Sequence, residues 1–357
     1  MAVVRRVSLL GAGGLVVAAA VVAAAVHAAA SSVGELAGRR LVVAMEGTSP
    51  STSLVRRIRA GEVGGVFIST PNIESAPQLR ALTRTLRKVA TESKRPPILV
   101  FVDQEGGYVR RVGWVPPALS AAALAERSIG FAETTGRLTG VALSRLGIDV
   151  DLAPVADVPA ADTAFIARQR RAYGSTPARV AVRAAAFARG LASAGVLATA
   201  KHFPGLGLAQ RSTDDQLVVI DAPWAELRRH LLPFRVLVRS DVALVMLSNA
   251  MYSALDETPA VWSRRVDSLL RDGLGFDGDT ITDAIEPLAR AHGVTSEEAA
   301  VRAAEAGVDL ILVTGLEPAS ERVHAALAAA LESGRLDRRS FRMSIDRIDA
   351  LSRARRG

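Results

Sequence analysis

The sequence predicts an α/β fold of the (β/α)8 TIM-type barrel class, carried in one domain. Three observations predict it. Short β-rich apolar runs alternate with longer helical patterns eight times. The runs are continuously apolar and not alternating, which suits parallel strands covered on both faces. The unusual polar residues gather at the carboxyl ends of those runs, where barrels of this class place their working groups.

In order, the runs are Leu41–Met45, Gly65–Ser69, Ile98–Asp103, Ile148–Val155, Leu197–Phe203, Ala243–Ser248, Thr280–Asp283 and Asp309–Thr314. Between them lie helices rich in Ala, Arg and Leu, such as Ala178–Ala194 and Ser296–Ala306. Eight such units close a barrel better than they fill an open sheet. No linker or low-complexity stretch breaks residues 36–352, so one barrel domain is expected over 36–355.

The 357 residues are 49% hydrophobic and 22% charged, the balance of a globular chain and not of a disordered or fibrous one. Cysteine is absent, which excludes disulfide scaffolds, thiolate metal sites and a cysteine nucleophile. The net charge of +8 comes almost entirely from arginine, since the only lysines are Lys88, Lys94 and Lys201. The arginines are scattered along the chain apart from a basic end, Arg338–Arg356. Aromatic residues are 4% and no nucleic-acid motif occurs, so no nucleic-acid partner is expected. A solvated basic surface is expected, with attraction to an anionic envelope polymer or membrane face as a second effect.

Residues 1–31 read as a targeting segment. Arg5 and Arg6 precede an uncharged run from Val7 to Val26, and small residues follow at Ala28, Ala29 and Ala30. That pattern describes a secretory signal peptide. The run is also close to the ~20 residues that span a bilayer, so residues 7–26 are equally a candidate membrane tether. Both readings place the rest of the chain outside the cytoplasmic membrane, exported to the extracellular space or the cell envelope.

Asp103-Gln104-Glu105-Gly106-Gly107 ends the third run, and Asp157 follows the fourth. Lys201-His202-Phe203-Pro204-Gly205 closes the fifth, Asn249 ends the sixth and Asp283 ends the seventh. A lone charged residue at a strand end serves equally well as a helix cap. Several on one rim point to chemistry. Carboxylates beside arginine, lysine and histidine suit a neutral, hydroxyl-rich substrate. One carboxylate attacks or stabilises a cationic carbon, a second acid protonates the leaving oxygen, and the donors grip hydroxyls. The histidines His27, His202, His230, His292 and His324 form no H-x-x-x-H pair, so no metal is expected. No Gly-rich phosphate loop follows a strand, so no cofactor is expected either.

Three segments carry a family resemblance: DQEGGYVRR at Asp103–Arg111, KHFPGLG at Lys201–Gly207 and GFDGDTITDAIEPL at Gly275–Leu288. Together with GGVFIS at Gly64–Ser69, DLAPVADV at Asp151–Val158, RRAYG at Arg170–Gly174, LLPF at Leu231–Phe234 and AAEAGVDLILV at Ala303–Val313, they resemble glycoside hydrolase family 3. Within it the chain looks most like the single-domain β-N-acetylhexosaminidases that act on bacterial cell-wall fragments. The pieces occur in the family's order and cover about residues 36–320. The resemblance implies a retaining exo-glycosidase that removes terminal β-linked N-acetylglucosamine from peptidoglycan-type fragments. It implies that Asp283 forms the covalent glycosyl–enzyme. Asp103 and Arg111 match residues that bind the sugar, Arg171 matches an arginine of the family's R-S-F-G segment, and Lys201 with His202 match the pair that holds the ring. For Asp283 the bland alternative is an N-cap of the following helix; for Arg111 it is a rim ion pair with an aspartate.

Two departures stand out. The family's proton donor in this branch is a histidine on a loop after the KHFPGHG motif. Here Leu206 replaces the second histidine of that motif, and the donor position reads Ser212-Thr213-Asp214, followed by Asp215. The expectation is that Asp214 serves as the acid, with a pKa raised by burial or by the Asp215 charge. A histidine expected near the end of the sixth strand is replaced by Asn249. Two alternatives stay open: a β-glucosidase-like member of the family, and a catalytically degenerate envelope protein that binds sugar.

Overall fold

The structure is a computed structural model, and it describes residues 32–354. The signal peptide or tether expected over residues 1–31 lies outside the described residues. Among the described residues no helix is long and apolar enough to cross a membrane.

All eight apolar runs form strands. They are β1 Leu41–Ala44, β2 Gly65–Ile68, β3 Leu99–Val102, β4 Val150–Asp151, β5 Leu197–Phe203, β6 Leu244–Leu247, β7 Asp279–Thr282 and β8 Ile311–Val313. Each pairs in parallel with its sequence neighbour, and β1 pairs with β8. A single parallel bridge, Ile281 with Leu310, joins β7 to β8, so the sheet is a nearly closed barrel. Every residue of β2, β3, β6 and β7 is buried, as strands covered on both faces must be.

The fourth strand is shorter than its apolar run, and the cause is Pro154, which has no N–H to give. Beyond Leu152, whose N–H still reaches Val102 O at 2.8 Å, the chain leaves the β3 backbone and stays attached to β5. Thr199 N–H reaches Ala153 O at 2.8 Å, Lys201 N–H reaches Pro154 O at 3.2 Å, and Ala156 N–H reaches Lys201 O at 2.6 Å. This bend carries Asp157 across to the loop after β5.

Helices surround the sheet. The expected segments Ala178–Ala194 and Ser296–Ala306 are observed as Pro177–Ala192 and Ser296–Ala306. Thr176 and Thr295 cap them, each accepting the N–H three residues on. The basic chain end is not simply a solvated tail. It forms the helix Arg338–Ala354 against the barrel's amino-terminal end. There Arg347 and Arg271 both bind the buried Asp309 carboxylate, at 2.5 and 2.6 Å. Arg40 lies 4.2 Å from the ring centroid of Phe341. A cavity of about 560 Å³ lies between this helix and the barrel; of the five arginines that line it, Arg40, Arg271 and Arg347 are committed to Asp309 and to backbone carbonyls, and Arg335 to Glu298 and Glu305.

The helix Ile129–Arg145 packs on Pro177–Ala192 at a distance set by glycine. A Cβ added at Gly190 would meet Glu133 O at 2.2 Å. Gly190→Ala is therefore expected to cost about 1–3 kcal/mol by forcing the two helices apart. Gly130→Ala, where a Cβ meets nothing within 4 Å, should be neutral or slightly stabilising. Thermal and urea unfolding of the two variants check this; equal stabilities would contradict the close-packing account.

Candidate active site

The site is assembled at the carboxyl ends of β3, β5 and β7. Asp103 follows β3 directly and leads into a two-strand hairpin, Gln104–Gly106 with Val109–Arg110. In extended chain, alternate residues face one side. Asp103 and Glu105 accordingly line one cavity, while Gln104 turns the other way. The Gln104 side chain is fully buried and staples the loop beneath it. Its Oε1 accepts the Val112 N–H at 3.0 Å, and its Nε2 donates to Val115 O at 3.0 Å and Pro116 O at 3.1 Å.

Lys201, near the end of β5, projects between the two carboxylates. Its Nζ lies 2.8 Å from Asp103 Oδ1 and 2.7 Å from Glu105 Oε1. Arg171 grips Glu105 with two parallel bonds of 2.8 Å, and Arg111 reaches Asp103 Oδ2 at 3.3 Å. Burial alone would raise both carboxyls. Lys201 and Arg111 outweigh it at Asp103, and Arg171 and Lys201 outweigh it at Glu105, so both are held below the usual carboxylate range. Burial works against the Lys201 charge too, but Asp103 and Glu105 reverse that and raise its pKa. The neighbouring Asp151 behaves in the opposite way. It has no cation in contact, its Oδ2 has no hydrogen-bond partner, and burial pushes its carboxyl up to about 8. The same buried setting thus ionises one set of carboxyls and protonates another, and contact with cations decides which.

The loop after β5 is held by Asp157, itself fully buried. Asp157 Oδ2 lies 2.7 Å from His202 Nδ1, while Oδ1 accepts the N–H of Leu206 at 2.6 Å and of His202 at 3.2 Å. A carboxylate partner at Nδ1 keeps a proton on that nitrogen and fixes the orientation of the ring. Gly207 packs onto the backbone of Val158, where a Cβ would meet the carbonyl oxygen at 1.8 Å. Only glycine lets the two loops come this close.

Further along, Asp214 takes its N–H to Ser212 Oγ at 3.1 Å. Its backbone carbonyl accepts from Arg290 Nη2 at 2.7 Å, across 76 residues of sequence. Arg290 lies on the helix Ile285–Ala291, which begins just after Asp283. The Asp214 loop is therefore tied to the segment that carries Asp283. Asp214 is open to solvent on one side, yet the protein atoms crowded around it raise its carboxyl pKa, and the Asp283 charge raises it further. His202 and Arg171 pull the other way, and Asp215 adds a smaller upward push. The expectation for Asp214 named burial or Asp215; in the structure burial comes first and Asp283 precedes Asp215.

Asp283 follows β7 and is half-buried. It is not the cap of the next helix: that position is Ala284, and Asp283 Oδ1 accepts only the adjacent Ala284 N–H, at 2.8 Å. Asn249 Nδ2 donates to Ala284 O at 2.9 Å, so the residue found in place of the expected histidine braces the Asp283 loop. Glu286 fastens the other side by accepting the N–H groups of Thr314 and Gly315 at 3.0 and 2.9 Å.

These groups enclose a cavity of about 560 Å³, within the roughly 300–1,000 Å³ range of small-molecule sites. All seven residues singled out from the sequence line it: Asp103, Arg111, Arg171, Lys201, His202, Asp214 and Asp283. Three further contributors were not assigned roles from sequence. Glu105 had a signal, since it stands two residues from Asp103 on the same face. Asp157 had one in its place after the fourth run. Arg290 had none, because only the folded chain brings it to Asp214. Among the described residues no group of three or more histidines and carboxylates is placed to hold a metal ion. The arrangement supplies one half-buried carboxylate, one carboxyl with an elevated pKa, and a rigid set of cations and acceptors suited to hydroxyl groups.

Comparison with known proteins agrees with this geometry. Residues 32–351 match the model of the glycosyl hydrolase family 3 N-terminal domain. A relative from Arthroderma benhamiae described as an uncharacterized secreted glycosyl hydrolase is 35% identical over 324 residues, covering 88% of this chain and 92% of that protein. A beta-hexosaminidase from Pseudomonas aeruginosa is 37% identical over 276 residues, covering 76% and 80%. Among solved structures, a beta-N-acetylhexosaminidase from Beutenbergia cavernae superposes with a TM-score of 0.81 at 29% identity, covering 90% of this chain and 98% of that one. A family 3 beta-N-acetylglucosaminidase from Paenibacillus superposes with a TM-score of 0.85 at 32% identity, covering 90% of this chain; this chain spans 62% of that longer protein. With its family model, its relatives and its barrel in agreement, this chain belongs to glycosyl hydrolase family 3.

Proposed function

We propose that the chain is a retaining exo-glycosidase that releases terminal β-linked N-acetylhexosamine, N-acetylglucosamine foremost, from peptidoglycan-type fragments. The observation that carries this reading is the pairing of Asp214 with Asp283 in one cavity. The Asp283 charge helps to raise the Asp214 carboxyl, as an acid beside a nucleophile requires. In the first step an Asp283 carboxylate oxygen bonds to the anomeric carbon as the bond to the leaving oxygen breaks, and Asp214 gives that oxygen its proton. In the second step Asp214 takes a proton from water, whose oxygen attacks the anomeric carbon and frees Asp283. Asp103, fixed by Lys201 and Arg111, accepts from ring hydroxyls. Lys201, Arg171 and His202 complete the grip. The N-acetylhexosamine preference is supported by the names of the relatives, beta-hexosaminidase and beta-N-acetylglucosaminidase. Export is supported by the pattern of residues 1–31 and by the relative described as secreted. Residues 7–26 would act either as the core of a cleaved signal or as a tether.

Asp283→Ala is expected to abolish turnover of an aryl β-N-acetylglucosaminide while the protein stays folded by circular dichroism. Asp214→Asn should lower turnover ~10²–10⁴-fold with poor leaving groups and far less with good ones. Retained turnover in the first variant, or an equal loss with both leaving groups in the second, contradicts these roles. Binding of N-acetylglucosamine by the wild type without hydrolysis between about pH 4 and 9 would identify a degenerate sugar-binding protein instead.

A pH dependence follows from the Asp215 charge. Because it helps to hold the Asp214 pKa up, Asp215→Asn should lower that pKa. The acid is then lost sooner as pH rises, so the alkaline limb of kcat/KM should move to lower pH while the acidic limb stays. An unmoved alkaline limb would show that Asp214 is not the titrating acid.

A further inference from the structure

Helices Ile129–Arg145, Pro177–Ala192 and Trp224–Val238 are neighbours in the barrel wall, with the middle one packed on both others. With their flanking residues, over 126–145, 177–192 and 224–241, they hold ten arginines against three glutamates and one aspartate. That is +6 of the chain's net +8. Arginines scattered along the sequence are thus gathered onto one wall by the fold. Arg179 and Arg189 are paired, with Glu126 at 3.2 Å and Glu133 at 2.9 Å. Arg137, Arg145, Arg228, Arg229, Arg235 and Arg239 are exposed, and none of them is in an ion pair among the described residues.

The same wall shows apolar groups to solvent. Twelve large hydrophobic residues are exposed among the described ones, and five are here: Ile129, Phe131, Leu138, Val182 and Trp224, each 40–48% exposed. The Arg127 guanidinium stands 5.9 Å from the Phe131 ring centroid. A soluble polyanion would use the arginines and leave these side chains in water. The interface of an anionic bilayer takes both, with cations among the headgroups and apolar and Trp side chains at the acyl boundary.

We propose that this wall is a docking surface for an anionic lipid bilayer. It lies on helices of the barrel wall, and none of the residues named on it lines the active-site cavity. Each basic residue near such a surface strengthens binding about fivefold. Individually weak contacts therefore add up to a reversible, salt-sensitive association.

The test uses the chain lacking residues 1–31, because their apolar run would partition into lipid by itself. The described residues from Val33 onward form a compact unit that holds all eight strands and the core. Co-sedimentation is measured with vesicles of 30% phosphatidylglycerol in phosphatidylcholine, and of phosphatidylcholine alone, in 0.1 M salt. Binding to the anionic vesicles only is expected. The quadruple change Arg228→Gln, Arg229→Gln, Arg235→Gln and Arg239→Gln should weaken it on the order of 10²–10³-fold. Phe131→Ser with Trp224→Ser should weaken it about tenfold, and both variants should unfold at the wild-type temperature. No binding to anionic vesicles overturns the proposal, as does wild-type binding by the arginine variant. Wild-type binding by the Phe131/Trp224 variant also overturns it, and marks the wall as a site for a soluble polyanion.

Discussion

One buried ammonium organises the working end of this barrel. Lys201 Nζ sits 2.8 Å from Asp103 and 2.7 Å from Glu105, and so ties the end of β5 to the hairpin that follows β3. Removing three charges from water is expensive, and the attraction between them offsets that cost only when the geometry is good and the remaining lone pairs are satisfied. Here Arg171 takes both oxygens of Glu105 and Arg111 takes the outer oxygen of Asp103. The result is a cluster in which no member is free to swing. Taking away Lys201 would leave two adjacent carboxylates facing each other in a poorly solvated site. A substrate therefore meets acceptors and donors already in position, and little binding energy is spent on ordering them.

The opposite wall is built differently. Asp214 rides on a loop whose long-range attachment is a backbone bond to Arg290, while Asp283 is braced through its neighbours by Asn249 and Glu286. The binding half is rigid through side-chain charges; the half assigned to bond-breaking is held through the main chain, which leaves both carboxylates free of tight ion pairs. That freedom matters chemically. A carboxylate locked to an arginine is a poor nucleophile and a poor acid, and Asp103 and Glu105 are of that locked kind. Placement in the fold thus sorts the carboxylates of one cavity into two classes.

Much of this was legible in the sequence. Continuous apolar runs mark buried parallel strands, and all eight became strands, because a strand covered on both faces can carry little else. The fourth was misjudged in length, since Pro154 interrupts its ladder without interrupting its hydrophobicity. Asp103, Glu105, Lys201, His202 and Asp283 at the strand ends line the cavity, because (β/α)8 geometry gathers those ends, while Gln104, Asp157 and Asn249 brace it from outside. What stayed hidden was contact through space. Arg290 reaches Asp214 over 76 residues, and nothing in the local pattern around either one signals it. The basic end Arg338–Arg356 shows its charge in the sequence but not its contacts, among them Arg347 turning inward to Asp309. The arginine wall was invisible for the same reason, as three helices contribute residues that lie far apart in the chain.

The central claim is that an oxygen of Asp283 forms a bond to the sugar. Mass spectrometry of peptides after reaction with a fluorinated N-acetylglucosaminyl fluoride, which slows release of a covalent intermediate, reads this directly. The account predicts a single sugar on the peptide containing Asp283, lost again when a competing acceptor is added. An inactivated protein with the sugar on another side chain, or steady turnover with no trapped adduct at all, would contradict it.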